Sequence, residues 1–358
     1  MDLNATKIQS TFLFILVVVA LGAVFRMTGT VMIPFVVALL FSFVFTPIMR
    51  FFERLRFPYV LAVILLLILF LGVMFLVALF VYSSVNQLIE QFPEYQRRFV
   101  EIINTIIQEL GLPPELTDKF DWMQTLGSSL VSMSGRFVGF LGSLLVVLVF
   151  LLFLLLEKPY LRPKLGRALG THRMRRVMII FAHINRGIGR YLAVKFFASA
   201  LTAVIVYVAF SAIGVDFPFV WGSLTFVFNF IPSIGSIVIT VAAILFAIVQ
   251  FFPAWDLIVL TGAIMLAPQL IIGNVLDPQM QGDNLNLSPV VIIFTLFFFG
   301  WLWGIIGMFL SVPLTVAIKI SFEHIPALQP AAVLMGAGRY KKRRRRQVHS
   351  AEKAHTHR

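Results

Sequence analysis

The chain has 358 residues, 59% of them hydrophobic and 13% charged, with a formal net charge of +13. A soluble domain carries roughly 25% charged residues. Thirty-eight phenylalanines among long Leu/Val/Ile runs leave more apolar surface than one water-soluble core can bury, which excludes a soluble fold. The absence of cysteine excludes disulfides, thiolate nucleophiles and Cys-type zinc or iron–sulfur sites.

A bilayer core of about 30 Å takes about 20 helical residues. Apolar windows of that size fit 9–28, 31–50, 58–86 and 136–156, followed by 191–214, 217–252, 257–276 and 288–320. The expected fold is therefore an all-α polytopic membrane protein of about eight hydrophobic segments. The first stretch, Thr11 to Phe25, has a loosely cleavage-like Ala20-Leu21-Gly22, but a second span follows at once and an uncleaved helix is the better reading. The third span runs into 86–135, where seven acids face three bases, which places that stretch outside. Within it Phe99, Ile102, Ile103, Ile106, Ile107 and Leu110 recur at helical spacing until Gly111-Leu112-Pro113-Pro114, so an amphipathic helix follows the span. After the fourth span, 157–195 holds ten Lys/Arg against Glu157 alone, the signature of a cytoplasmic segment. Counting crossings puts both termini in the cytoplasm, with the chain multi-pass in the inner membrane.

The later segments differ in kind. Segments 217–252 and 288–320 exceed one crossing, and each is interrupted, by Asn229-Phe-Ile-Pro232-Ser-Ile-Gly235 and by Gly300-Trp-Leu-Trp-Gly304-Ile-Ile-Gly307. Each also begins near a proline, Pro218 and Pro289. Two arrangements satisfy this pattern, long kinked helices or broken re-entrant hairpins in an inverted repeat. Broken backbone persists in a bilayer where it is buried or lines a polar cavity, so Asn229, Pro232, Ser233, Gly235, Gly304 and Gly307 are candidate pathway residues. Between the two segments Gln269, Gly273 and Asp277 fall at i, i+4 and i+8 with Asn274 adjacent, giving one polar stripe. Asp277 is the candidate for ion coupling if it is held in the membrane, and a plain helix-ending acid if it is not. The chain thus divides into spans 1–3 (1–86), an outer amphipathic region (87–135), span 4 with a basic helical loop (136–190), a transport core (191–320) and a basic tail (321–358).

The run Gly273-Asn-Val-Leu-Asp-Pro-Gln-Met-Gln-Gly282, then Leu285-Asn-Leu-Ser-Pro289 and Gly304-Ile-Ile-Gly-Met-Phe-Leu-Ser-Val-Pro-Leu314, resembles the signature of the autoinducer-2 exporter family of membrane permeases. Asn229-Phe-Ile-Pro-Ser-Ile-Gly235 adds to the likeness, and Pro313 joins the pathway set through it. The resemblance implies a multi-subunit inner-membrane protein passing small solutes, a furanone-type quorum-sensing signal in the best-known branch and sodium or lithium exchanged for protons in others. Asp277 stands where the family commonly has Glu, and Ser233 where an aromatic is frequent.

No His-Glu-x-x-His, Gly-x-Ser-x-Gly or Walker loop occurs, so an enzyme is not expected, nor any cofactor or metal. Ser132-Met-Ser-Gly135 has no membrane histidine to pair with, and the six histidines lack ligand spacing. Lys341-Lys-Arg-Arg-Arg-Arg346 and the basic loop fit anionic lipid rather than nucleic acid. The expected partners are a small-molecule solute, the bilayer and further copies of the chain. An oligomeric channel or a membrane scaffold is the remaining alternative to a carrier.

Overall fold

The computed structural model describes residues 13, 16, 17, 20, 22–111, 122–273 and 286–337, and every regular element among them is helical. After helical residues 22–27 come α1 (Gly29–Val44) and α2 (Thr46–Arg54), which meet at 43°. Pro47, in the first turn of α2, has no N–H to continue the preceding helix. Next is α3 (Tyr59–Leu110), 52 residues and so about 78 Å long. Its apolar first part, Tyr59–Val77, is 22% buried within the chain and turns the rest of its surface outward, as lipid-facing helices do. The remainder outlasts the bilayer and ends at Gly111 in the left-handed region, where the Gly111-Leu112-Pro113 signal predicts a stop.

The longest run, α4 (Trp122–Ile213), is broken at Gly170 (φ 71°, ψ 164°), a conformation open almost only to glycine. Lys158 and Asn185 lie 27 residues apart and would be about 40 Å apart along a straight helix. Yet the Lys158 Nζ donates to Thr46 Oγ1 at 2.6 Å, and that same hydroxyl lies 3.4 Å from Asn185 Oδ1. The arms 122–169 and 171–213 therefore lie side by side, both against α1–α2.

There follow α5 (Pro218–Phe228), α6 (Ile234–Phe251), α7 (Trp255–Ile271), α8 (Pro289–Glu323), a 3-10 turn (Pro326–Leu328) and α9 (Gln329–Leu334). One apolar core joins α1, α3 and the first arm of α4 through Ala38, Leu66 and Leu151. A second joins α1, the return arm and α8 through Leu40, Ile188 and Leu310. The third joins the return arm, α5, α6 and α7 through Phe210, Trp221, Ala243 and Met265.

Among the described residues four helical runs, or five if the bent α1–α2 pair is one span, are long and apolar enough to cross a membrane. Eight separate helices of membrane length do not emerge among them, and the expected first span, 9–28, lies partly outside the described residues. The expected spans 136–156 and 191–214 share the single run α4, and 217–252 divides into helices of 11 and 18 residues.

Candidate functional site

Both interrupted segments double back on themselves. In the first, Trp221 on α5 and Phe246 on α6 have ring centroids 5.3 Å apart, although 25 residues separate them. In the second, the Lys319 Nζ donates to the Asn286 carbonyl at 2.8 Å across 33 residues, which a straight helix would hold about 50 Å apart. Each pair centres on a break, near Ser233 in one and Trp303 in the other. Each segment is therefore a helical hairpin rather than one long kinked helix.

The first tip tightens before it turns. Phe230 N–H donates to the Val227 carbonyl at 3.2 Å and Ile231 N–H to Phe228 at 2.9 Å, i to i−3 bonds of a closing helix. Pro232 then supplies no donor, and Ser233 reverses the chain at φ 59°, ψ −51°. Gly235 is required: a Cβ there would lie 1.8 Å from the Phe228 carbonyl oxygen. The second tip turns at Trp303 (φ −131°, ψ 16°) and Gly304 (φ 64°, ψ −144°). A Cβ on Gly307 would lie 1.9 Å from the Phe299 carbonyl oxygen and 3.1 Å from the Cβ four residues earlier, the same 3.1 Å as at Gly235. Both hairpins also begin with a residue of positive φ, Phe217 and Asn286, followed within three residues by a proline that starts the helix.

The two tips meet. Phe230 and Phe309 stack with centroids 5.2 Å apart and planes 14° from parallel. The return arm of α4 joins them, because the Asn229 Nδ2 donates to Ser199 Oγ at 3.0 Å. Gln269 on α7 approaches the first hairpin at Thr240, its Oε1 3.4 Å from the threonine hydroxyl. Trp303 is tied to the N-terminal helix, its Nε1 donating to the Phe25 carbonyl at 3.0 Å. Thus Asn229, Pro232, Ser233 and Gly235 share one tip, Gly304 and Gly307 form the other, and Gln269 flanks the first. Pro313 is buried in the second arm of α8, away from the turn. Asn274 and Asp277 lie outside the described residues.

Several residues escape a reading of the sequence. Lys195 counts there as one of ten loop charges, yet it is 8% exposed and one helical turn from Ser199, with Thr202 less than a turn beyond. The i, i+4, i+7 spacing of Lys195, Ser199 and Thr202 is the signal that was available. Thr225 sits one turn before Asn229 and is fully buried. At the mouth of the first hairpin, Gln250 bridges the ends, its Nε2 donating to the Gly214 carbonyl at 2.8 Å and its Oε1 accepting from Asp216 N–H at 3.0 Å. From α3, the Tyr95 hydroxyl donates to Asp216 Oδ2 at 2.6 Å and Arg98 Nη1 to the Gln250 carbonyl at 3.3 Å. Burial first, and then the hydrogen bond to the Asp216 carboxylate, push the Tyr95 phenol well above its ordinary range. Arg98, which hydrogen-bonds Glu94, holds that carboxyl below the usual range.

A family model described as AI-2E family transporter matches residues 13–327. The chain belongs to the AI-2E transporter family. AI-2 transport protein TqsA of Escherichia coli is 31% identical over 343 residues, covering 93% of this chain and 96% of that one. A protein of Borreliella burgdorferi whose name assigns it to transport without a cargo is 32% identical over 334 residues, covering 93% and 92%. One similarly named in Haemophilus influenzae is 28% identical over 342 residues, covering 93% and 98%. The AI-2E chain described above is accordingly a multi-pass membrane protein of a transporter family, and its family and relatives are named for transport rather than for catalysis.

Proposed function

We propose that this AI-2E family member is a carrier that moves a small polar solute by alternating access at its two hairpin tips. The observation that carries the reading is the stacking of Phe230 on Phe309, which brings the two glycine-dependent turns to one place. In this reading about eight hydrophobic segments lie in the bacterial inner membrane, with both termini in the cytoplasm. The hairpins are re-entrant and form an inverted repeat, the first opening outward and the second inward. The cargo is a solute of the autoinducer-2 type, as the name of the Escherichia coli relative suggests, and export is the direction. Anionic lipid meets the basic arm and tail, and several copies assemble.

Pro232 fits this reading as the residue that ends one half of the broken segment, leaving carbonyls near the tip without helical donors. Proteoliposomes holding the purified protein take up or release the signal saturably, and Asn229→Ala lowers the rate several-fold. Unsaturable conductance would replace the carrier by a channel. Proton movement driven by imposed sodium or lithium gradients would replace the cargo by a cation.

A further inference from the structure

We infer that Thr225 and Asn229 form the contact site for a hydroxyl-bearing solute, an assignment that rests on the carrier reading above. Among the described residues, Thr225 Oγ1 is the buried side-chain polar atom left with no hydrogen-bond partner. Other helical threonines show how easily that is avoided. Thr202, Thr261, Thr295 and Thr315 each donate to a carbonyl one turn back, at 2.9, 2.8, 2.8 and 2.6 Å. A helical threonine has that partner within reach by default. An orphaned buried hydroxyl costs stability and calls for an occupant.

The surroundings define the occupant's chemistry. Thr225 and Asn229 are one turn apart on one face of the helix, directly before the break. The Asn229 amide donates to Ser199 Oγ, which turns its carbonyl oxygen away from that bond as an acceptor. α5 lies close on the return arm here, a Cβ on Gly222 meeting the Ala203 carbonyl at 3.0 Å. The site is thus a narrow seam holding one hydroxyl that both donates and accepts and one amide oxygen that accepts. A hydroxyl group satisfies both, donating to Asn229 Oδ1 and accepting from Thr225, whereas a bare hydrocarbon satisfies neither. Because Thr225 is fully enclosed, the structure corresponds to a closed seam, and the solute enters when the first hairpin moves from the arm.

A functional hydroxyl of this kind has a signature that a packing residue lacks. Thr225→Val is nearly isosteric and removes an unpaired polar group, so the purified variant melts about 2–4 °C higher than the wild type. Its half-saturation for the autoinducer-2 signal in proteoliposomes rises about three- to tenfold, and Thr225→Ser restores it. The chain has no cysteine, so Thr225→Cys carries a single thiol, and iodoacetamide, a small uncharged amide, labels it in native membrane vesicles. A lower melting temperature for Thr225→Val would mean that the hydroxyl is already paired, and would overturn the site. So would unchanged half-saturation, or labelling of the cysteine only after denaturation. If wild-type vesicles move no signal, the carrier reading falls, and the thermal shift and the labelling still decide the site.

Discussion

Single atoms decide the turns of this protein. At Gly235 and Gly307 a methyl group would stand less than 2 Å from a carbonyl oxygen, so alanine cannot enter without reopening the hairpin. Gly235→Ala and Gly307→Ala should each cost about 3–5 kcal/mol, or leave no folded protein, as read by thermal melting of the detergent-solubilised chain. Another residue works at the mouth of the first hairpin. Tyr95→Phe removes the donor to Asp216 while keeping the ring against Phe217 and Phe246, and should cost about 1.5–3 kcal/mol because the acceptor is charged. The pH dependence follows the same bond. The folded protein holds the phenolic proton more tightly than the unfolded chain, so this stabilisation is whole below about pH 10 and lost as pH rises above it. Melting curves above pH 10 should therefore fall more steeply for the wild type than for Tyr95→Phe. Motif spacing made both glycines legible. Tyr95 was not, because its partner is 121 residues away.

Helices here are defined as much by where they bend as by where they run. The basic stretch 157–195 reads in sequence as a helical loop that fixes orientation, and it forms the folded middle of a 92-residue helical run. Its backbone is helical because alanine, leucine and arginine there favour helix, and Gly170 alone breaks it. Gly170→Ala should cost about 1–3 kcal/mol and splay the arms, seen as a lower melting temperature and as loss of the protection that Thr46 gives Lys158 against amine acylation. The amphipathic repeat from Phe99 to Leu110 predicted a separate helix after the third span, and α3 instead passes through that region unbroken. Pro93 does not interrupt the run, and a helix of this length therefore carries Tyr95 and Arg98 to the mouth of the first hairpin.

Across the whole molecule, the contact between hairpins is the element on which the proposed carrier mechanism depends. Phe230 and Phe309 come from turns 79 residues apart, and the carrier reading requires that they separate and rejoin. With no native cysteine, the double variant Phe230→Cys/Phe309→Cys can be oxidised to a single cross-link. Oxidation should abolish solute movement and reductant should return it, whereas transport indifferent to the cross-link would remove the tips from the mechanism. Either single cysteine variant should ignore the oxidant.

Hydropathy by itself determined that this chain lives in lipid and that two late segments are too long and too broken for plain spans, and charge predicts that 86–135 and 157–195 lie on opposite sides. Those properties are local: a run of apolar side chains, a proline without its donor and an excess of one charge need no partner to act. Tertiary structure decided the rest. Whether 217–252 and 288–320 kink or double back depends on Trp221 meeting Phe246 and on Lys319 reaching Asn286. Such pairings weigh contacts across tens of residues against the entropy of closing the chain, and no local pattern encodes their outcome. The burial of Lys195 and the empty hydrogen bond of Thr225 belong to the same class, since each is a property of what packs around the residue rather than of the residue itself.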